Sequence, residues 1–197
     1  MRGFLGLMAL VATLAGSGVA LDGAEVAGRS LNVRVYDSAG VAKAALRTAL
    51  EAAAQTLRPA DVEVTWVMCS TSSGGRCTVP LGRAELIVRL VRSPSQAAVE
   101  GDESLGTALV DPATGTGVLA TVFVDRVERL AGRSAGDFGM LLGRAMAHEI
   151  GHLLMGRTAH TSTGLMRPRW TRAGIARDAS VDWDFDAQDL RAIRARF

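Results

Sequence analysis

All three histidines of the chain lie in its C-terminal third. They are His148, His152 and His160, in a sequence of 197 residues. The first two form the pattern His-Glu-x-x-His, with Glu149 directly after the first histidine. Residues four apart in a helix project from the same face, so both imidazoles can bind one zinc ion, with Glu149 beside the open coordination position. The spacing therefore predicts a zinc site that activates water.

A catalytic zinc ion needs a third protein ligand, and two kinds of side chain remain open for that role. His160 is the favoured candidate, because imidazole is a preferred zinc ligand and Gly156 ends the helix before it. A glutamate ligand is disfavoured, since no glutamate follows Glu149. The alternative is a carboxylate from one of the late aspartates, which are Asp178, Asp182, Asp184, Asp186 and Asp189.

The His-Glu-x-x-His pattern falls inside a predicted helix that runs to about Met155. Four apolar residues of this helix fall within about 80° of one another on a helical wheel. They are Leu142, Met146, Ile150 and Leu153. His148 and His152 lie about 135° from the centre of that stripe. The helix is therefore expected to pack one face on the core and to turn a different face to the metal.

Strand and helix patterns alternate in the part of the chain that precedes this helix. Alternation with period two predicts strands at 31–36, 62–67, 85–91, 106–110 and 118–124. Apolar residues at helical spacing predict helices at 41–57 and 187–196, with a helical turn near 126–130 and a loop from 157 to the last helix. The order strand, helix, strand implies a right-handed crossover and parallel pairing.

The segment from His148 to Trp170 resembles the metzincin clan of zinc metallopeptidases. That clan is marked by H-E-x-x-H-x-x-G-x-x-H and by a methionine turn that follows it. Gly164-Leu165-Met166 is similar to that turn, and His160-Thr161-Ser162 is similar to the sequence at the third ligand of matrixin-like members. The glycine and the third histidine come one and two residues later than in the clan, which indicates a divergent bacterial branch.

The resemblance also implies an architecture. It is an α+β fold, in which a mixed, mostly parallel five-stranded sheet carries a backing helix and the active-site helix. The upper subdomain would cover about residues 30–156. The lower one, about 157–197, would hold the methionine turn, with Met166 under the metal, and a terminal helix. The segment 106–110 would be the antiparallel edge strand that binds substrate by strand addition. Its substrate-binding residues would be Gly106, Thr107, Ala108 and Leu109.

The function implied by this resemblance is that of a secreted zinc-dependent endopeptidase. Water activated by one zinc ion would lose its proton to Glu149, the general base, and would attack a peptide bond. One alternative is a secreted zinc-containing binding or envelope domain without catalysis. Another is a zinc hydrolase of non-peptide substrates. The intact Glu149 favours catalysis, since a non-catalytic site needs no base.

The first twenty residues have the layout of a signal peptide. Arg2 precedes an uncharged apolar run at 4–14, and small residues lead to a cleavage site after Ala20. We therefore expect a mature domain of residues 21–197, exported to the periplasm or the medium, with no membrane span after cleavage. An uncleaved anchor is the alternative, because the uncharged stretch 3–20 approaches the length of a span.

Two cysteines, Cys69 and Cys77, flank a loop rich in serine and glycine. In an exported protein this spacing predicts a disulfide, which stabilises the fold by about 2.5 kcal/mol in the chain-entropy model. A pair of unlinked thiols is the alternative.

Composition limits the partners of the chain. A net charge of +2 gives no electrostatic support for a nucleic-acid partner, and 48% hydrophobic residues exclude a disordered chain. We expect a monomer that takes protein or peptide substrates. Arginines at 167, 169 and 172 either favour acidic substrates or are ordinary surface residues. The aspartates at 182–186 could bind calcium, although helix capping explains most of that pattern.

Overall fold

The computed structural model describes residues 29–70, 72–93, 104–132, 135–177 and 183–197. The predicted signal peptide lies outside these residues. So do Asp178 and Asp182, two of the alternative metal ligands. No described helix is both long enough and apolar enough to cross a membrane.

A five-stranded sheet forms one layer of the fold. Its strands are β1 (Arg29–Asp37), β2 (Val62–Cys69), β3 (Glu85–Val91), β4 (Gly106–Asp111) and β5 (Thr116–Phe123). They lie in the order β2-β1-β3-β5-β4. The first four strands of that order are parallel, and β4 runs antiparallel to β5 at the edge. The prediction of a mixed, mostly parallel five-stranded sheet is confirmed.

Five α-helices and two short 3-10 turns, at Arg58–Ala60 and Gly75–Cys77, complete the described part of the chain. The α-helices are α1 (Lys43–Leu57), α2 (Val124–Ala131), α3 (Ala135–Met155), α4 (Arg172–Arg177) and α5 (Ala187–Arg194). The expectation of a loop from 157 to the last helix is wrong for α4. This helix has only six residues, which is too short for a recognisable period, and its Ile175 packs on the edge of the core.

The core lies where α1 and α3 cover the sheet. Val33 and Val35 of the central strand β1 are fully buried there. The four apolar residues predicted to form the core stripe of α3 are buried as well, with exposed fractions of 2% or less. Helix α1 packs closely along α3, because Gly143 offers no side chain and a Cβ at that position would clash with the carbonyl oxygen of Ala49.

A buried ion pair joins β1 to the start of β3. The Arg34 guanidinium donates to both carboxylate oxygens of Glu85, at 2.9 and 2.8 Å, and to the carbonyl oxygen of Val79 at 2.7 Å. These contacts also fix the segment that follows the disulfide between Cys69 and Cys77, whose Cα atoms lie 5.7 Å apart. The predicted disulfide is therefore confirmed.

The Arg34–Glu85 pair predicts a specific acid sensitivity. Hydrogen bonds from Arg34 and from the Gly82 amide lower the pKa of Glu85 from 4.5 to about 2. Because the folded-state pKa is depressed, its stabilisation is complete above pH 4.5 and is lost as the pH falls towards 2. We expect Glu85→Gln to lower the free energy of unfolding at pH 7 by about 3 kcal/mol, since a buried arginine loses its charged partner.

The measurement is urea unfolding at several pH values between 2 and 7. The wild-type protein should lose stability between pH 4.5 and 2 more steeply than the Glu85→Gln variant. Glu63→Gln, at an exposed position of β2, is the matched control and should follow the wild-type protein. Parallel curves for the wild-type protein and Glu85→Gln would contradict the prediction.

Candidate metal centre and its cleft

Helix α3 carries the His-Glu-x-x-His pattern, and the end of this helix sets where the chain goes next. Gly156 directly follows α3 and has a left-handed φ of 65°. A Cβ at this position would also clash with the carbonyl oxygen of Gly115, in the turn between β4 and β5. The predicted helix stop at Gly156 is thus present, and the chain turns back there to cover the histidine face of α3.

The three imidazoles converge on one point. The Nε2 atom of His152 lies 3.1 Å from that of His148 and 3.3 Å from that of His160. Within the described ranges, these three residues form a group whose ligand atoms all lie within 4.8 Å of one another. Of the two residues by which the spacing exceeds the metzincin pattern, one precedes Gly156 and one lies in the segment 157–160, and the imidazoles converge despite both.

Two backbone carbonyls fix the orientation of the rings. The Nδ1 atoms of His148 and His152 each lie 2.9 Å from a carbonyl oxygen, that of Leu165 and that of Arg157 respectively. A carbonyl oxygen only accepts, so each Nδ1 carries the hydrogen and each Nε2 presents a lone pair. Two lone pairs at 3.1 Å repel each other unless a cation lies between them.

The donor set fits a divalent metal ion such as zinc. Two nitrogens that bind one tetrahedral zinc ion at about 2.1 Å lie about 3.4 Å apart, close to the spacings in this structure. Burial lowers the pKa of His148 to about 3 and that of His152 to about 4, and it also lowers that of His160. All three imidazoles are therefore neutral at pH 7, as metal ligands must be.

The described late aspartates lie outside the imidazole group. Asp189 is buried, and its Oδ1 accepts from Nη2 of Arg157 at 2.6 Å. Asp186 caps α5 by accepting from two backbone amides of that helix. The carbonyl oxygen of Asp184 accepts from the amide of Leu165 at 2.8 Å. None of these three side chains joins the imidazole group, so the geometry favours His160 over them as third ligand.

Met166 packs against α3, the helix that carries His148 and His152. It is fully buried, and a Cβ at Gly151, inside the His-Glu-x-x-His pattern, would lie 3.2 Å from its sulfur. Its carbonyl oxygen accepts from the amide of Thr161 at 3.0 Å, while the preceding carbonyl, of Leu165, accepts from His148. These two carbonyls therefore link Thr161, the residue next to His160, to His148 of α3.

Glu149 is buried between α3 and the edge strand β4, with 5% of its surface exposed. Gly106 provides the space, because a Cβ there would lie 2.6 Å from Oε1 of Glu149. Burial raises the pKa of Glu149 to about 8. A cation bound at the imidazoles would favour its carboxylate form. The sequence placed Gly106 in the edge strand but gave no partner for it, although a glycine within a strand often marks such a close approach.

An open cleft of about 670 Å³ lies over Glu149 and two of the histidines. Trp170 borders it, with its ring edge-on to that of His148 at a centroid distance of 5.7 Å. Five arginines line the cleft: Arg126, Arg129, Arg167, Arg169 and Arg172. Sequence analysis had singled out the last three. It missed the two on α2, because only the tertiary fold brings α2 to this wall.

Comparisons with known proteins find the fold but no sequence family. No protein-family model matches the sequence, and no curated protein matches it significantly. The structure is similar to archaemetzincin from Methanopyrus kandleri, with a TM-score of 0.55 and 13% identity over 86% of this chain and 96% of that one.

Two further solved structures share this architecture. Metalloproteinase-II from Bacteroides fragilis has a TM-score of 0.51 and 13% identity, over 86% of this chain and 53% of that one. A zinc-dependent peptidase from Methanocorpusculum labreanum has a TM-score of 0.52 and 14% identity, over 82% of this chain and 99% of that one. At such identities the likeness establishes the fold alone, and that fold is one found among zinc metallopeptidases.

The contact between Gly106 and Glu149 predicts that position 106 tolerates no side chain. Gly106→Ala should lower the free energy of unfolding by about 1–3 kcal/mol, since the methyl group must displace the Glu149 carboxylate or the backbone. The measurement is chemical denaturation. Gly82→Ala is the matched control, because a Cβ at Gly82 would meet only an ordinary contact at 3.8 Å. Equal stability of the two variants would contradict this prediction, because it would mean that Glu149 and the backbone move aside at little cost.

The imidazole group predicts one zinc ion per chain. Titration calorimetry with the metal-free protein should give a single tight site. His160→Ala should weaken it by more than the roughly 10- to 100-fold that loss of an outer-shell partner costs. Asp178→Ala and Asp182→Ala test the carboxylate alternative and should leave the affinity unchanged. A large loss in either aspartate variant would remove His160 from the ligand set.

Proposed function

We propose that this chain is an exported zinc-dependent peptidase that hydrolyses peptide bonds at the histidine centre. One observation carries the proposal: the buried carboxyl group of Glu149 adjoins three converging imidazoles beneath an open cleft. Proteins of similar fold are described as a metalloproteinase and a zinc-dependent peptidase, which supports the same class of reaction here.

His148, His152 and His160 would hold the metal. When bound, zinc supplies Lewis acidity, which acidifies water and polarises a carbonyl group. The carbonyls of Leu165 and Arg157 keep two of the rings oriented, so that their lone pairs point to one site. The metzincin-like role of Met166 is part of the proposal. Its burial against α3 supports a role in packing beneath the histidines.

Glu149 would act as the general base. Its carboxylate would accept the proton of the attacking water and then pass it to the leaving amine. Burial raises the pKa of Glu149, and a cation held by the histidines would shift the group back to the carboxylate that accepts this proton. The glycine at position 106 keeps the carboxyl group close to the edge strand, where a substrate backbone would lie.

The outer edge of β4, which no described strand covers, would bind the substrate. This strand ends the sheet, and an extended peptide can pair with such an edge through backbone hydrogen bonds. The residues proposed for this role are Gly106, Thr107, Ala108 and Leu109. Thr107 and Leu109 are exposed, whereas Ala108 faces the core, so alternate side chains meet the solvent as strand addition requires.

Export, cleavage after Ala20 and the monomeric state complete the proposal. The Cys69–Cys77 disulfide supports an oxidising compartment, since such bonds persist outside the cytoplasm. The division into subdomains at about 30–156 and 157–197 follows the turn at Gly156, where the chain leaves α3.

The decisive variant is Glu149→Gln. It should retain zinc and lose peptide hydrolysis by about 10²- to 10⁴-fold, because the amide cannot accept the proton. Cleavage of a quenched fluorescent peptide library and the metal content of each protein are measured in parallel. Glu63→Gln is the matched control and should remain active.

Unchanged turnover in Glu149→Gln would refute the role of general base. A zinc-loaded wild-type protein that cleaves no peptide would favour one of the two alternatives. Ester and amide substrates would then separate a hydrolase of other compounds from a domain that only binds zinc.

A further inference from the structure

The cleft over the histidine centre is far more basic than the chain as a whole. Five of its fifteen described lining residues are arginines, and Glu149 is the one carboxylate among them. In the whole sequence, 22 basic residues among 197 are nearly balanced by 20 acidic ones. The cleft therefore concentrates positive charge that the rest of the surface does not carry. A concave, low-dielectric wall strengthens such a field.

Two of these arginines donate hydrogen bonds to uncharged groups. Arg126 donates from Nε to the Ser93 hydroxyl at 2.9 Å and from Nη1 to the Ser104 carbonyl at 2.7 Å. Arg172 donates from Nη2 to the carbonyl of Arg129 at 2.6 Å. Within the described ranges, neither guanidinium forms an ion pair with a carboxylate. The contacts fix both groups in place and leave their charges uncompensated, so each is oriented in advance for an anion.

Two of the other cleft arginines are held by different contacts. Arg129 pairs with Asp125 at 3.1 Å. Arg167 lies over the ring of Trp183, 4.4 Å from its centroid, and 5.9 Å from that of Trp170. A cation–π contact leaves the charge of the guanidinium in place. The cleft charge that can meet an anion is therefore assigned to Arg126, on α2, and to Arg172, at the start of α4.

Resting on the proposed peptidase function, we propose that this cleft selects substrates with a carboxylate close to the scissile bond. Arg126, on α2, and Arg172, which starts α4 and reaches the end of α2, are the specificity-determining residues. A carboxylate matches the planar fork of a guanidinium and accepts two charge-assisted hydrogen bonds from it. The carboxylate belongs either to an acidic side chain or to the C-terminus of the peptide, and amidation distinguishes these sources.

The test uses matched peptides that differ at one residue beside the cleaved bond: Glu, Gln or Lys, each with a free and an amidated C-terminus. Fluorescence anisotropy gives their Kd for the zinc-loaded Glu149→Gln protein, and kcat/KM is measured with the wild-type protein. We expect the Glu peptide to bind about tenfold more tightly than the Gln peptide, and the Lys peptide to bind most weakly. The preference should shrink as salt increases, because part of it is screened.

If amidation of the Gln peptide weakens binding as much as the change from Glu to Gln, the C-terminal carboxylate is also recognised. Arg126→Gln and Arg172→Gln should each reduce the ratio of Glu to Gln affinities by about tenfold. Arg47→Gln removes the same charge at an exposed position of α1 outside the cleft and should keep the ratio. Should Arg126→Gln fail to fold, because its contact to Ser104 is lost, Arg172→Gln carries the test.

Equal affinities for all peptides, or a preference that survives both arginine variants, would overturn the proposal. The two proposals fail separately. Cleavage without a preference for carboxylates refutes the role of the arginines and leaves the peptidase standing. A preference in binding without any cleavage refutes the peptidase and supports the carboxylate site.

Discussion

The hydrogen bonds from His148 and His152 to two backbone carbonyls hold the site together. They satisfy ring nitrogens that would otherwise be buried without partners, and they leave both lone pairs facing one point. The same two bonds tie the C-terminal segment to α3, because the acceptors belong to Arg157 and Leu165. The orientation of the two rings and the docking of this segment on α3 are thus coupled.

The side chain of Arg157 extends this arrangement to the last helix. Arg157, whose carbonyl orients His152, forms an ion pair through its side chain with the buried Asp189 of α5. Burial raises the pKa of Asp189 because it disfavours the charged carboxylate, and the ion pair with Arg157 offsets part of that cost. The last helix therefore contributes to the position of a histidine ring through Asp189, which pairs with Arg157 and does not belong to the imidazole group.

The local parts of the site could be derived from spacing rules, whereas His160 could be named only as a candidate, without the geometry that brings it to the other two histidines. The pair His148 and His152 follows from helical spacing, and the left-handed glycine after α3 follows from a known way in which helices end. The convergence of His160 depends on backbone hydrogen bonds across several residues, such as that from Thr161 to Met166, which no spacing rule contains. The Arg34–Glu85 pair was missed for the same reason, since its members lie 51 residues apart in different strands.

The close approach of Gly115 and Gly156 has a mechanical consequence. It brings the backbone of the β4–β5 turn against the end of α3, with no side chain between them. Strand β4 and helix α3 are thereby held together at one end of β4, and Glu149 contacts Gly106 at the other end. Sliding of the strand along the helix would disturb both contacts, so the two elements are expected to behave as one rigid body. If an extended peptide pairs with β4 as proposed, its distance from the histidines would be fixed by these two contacts, and adaptability would have to come from the arginine-lined part of the cleft.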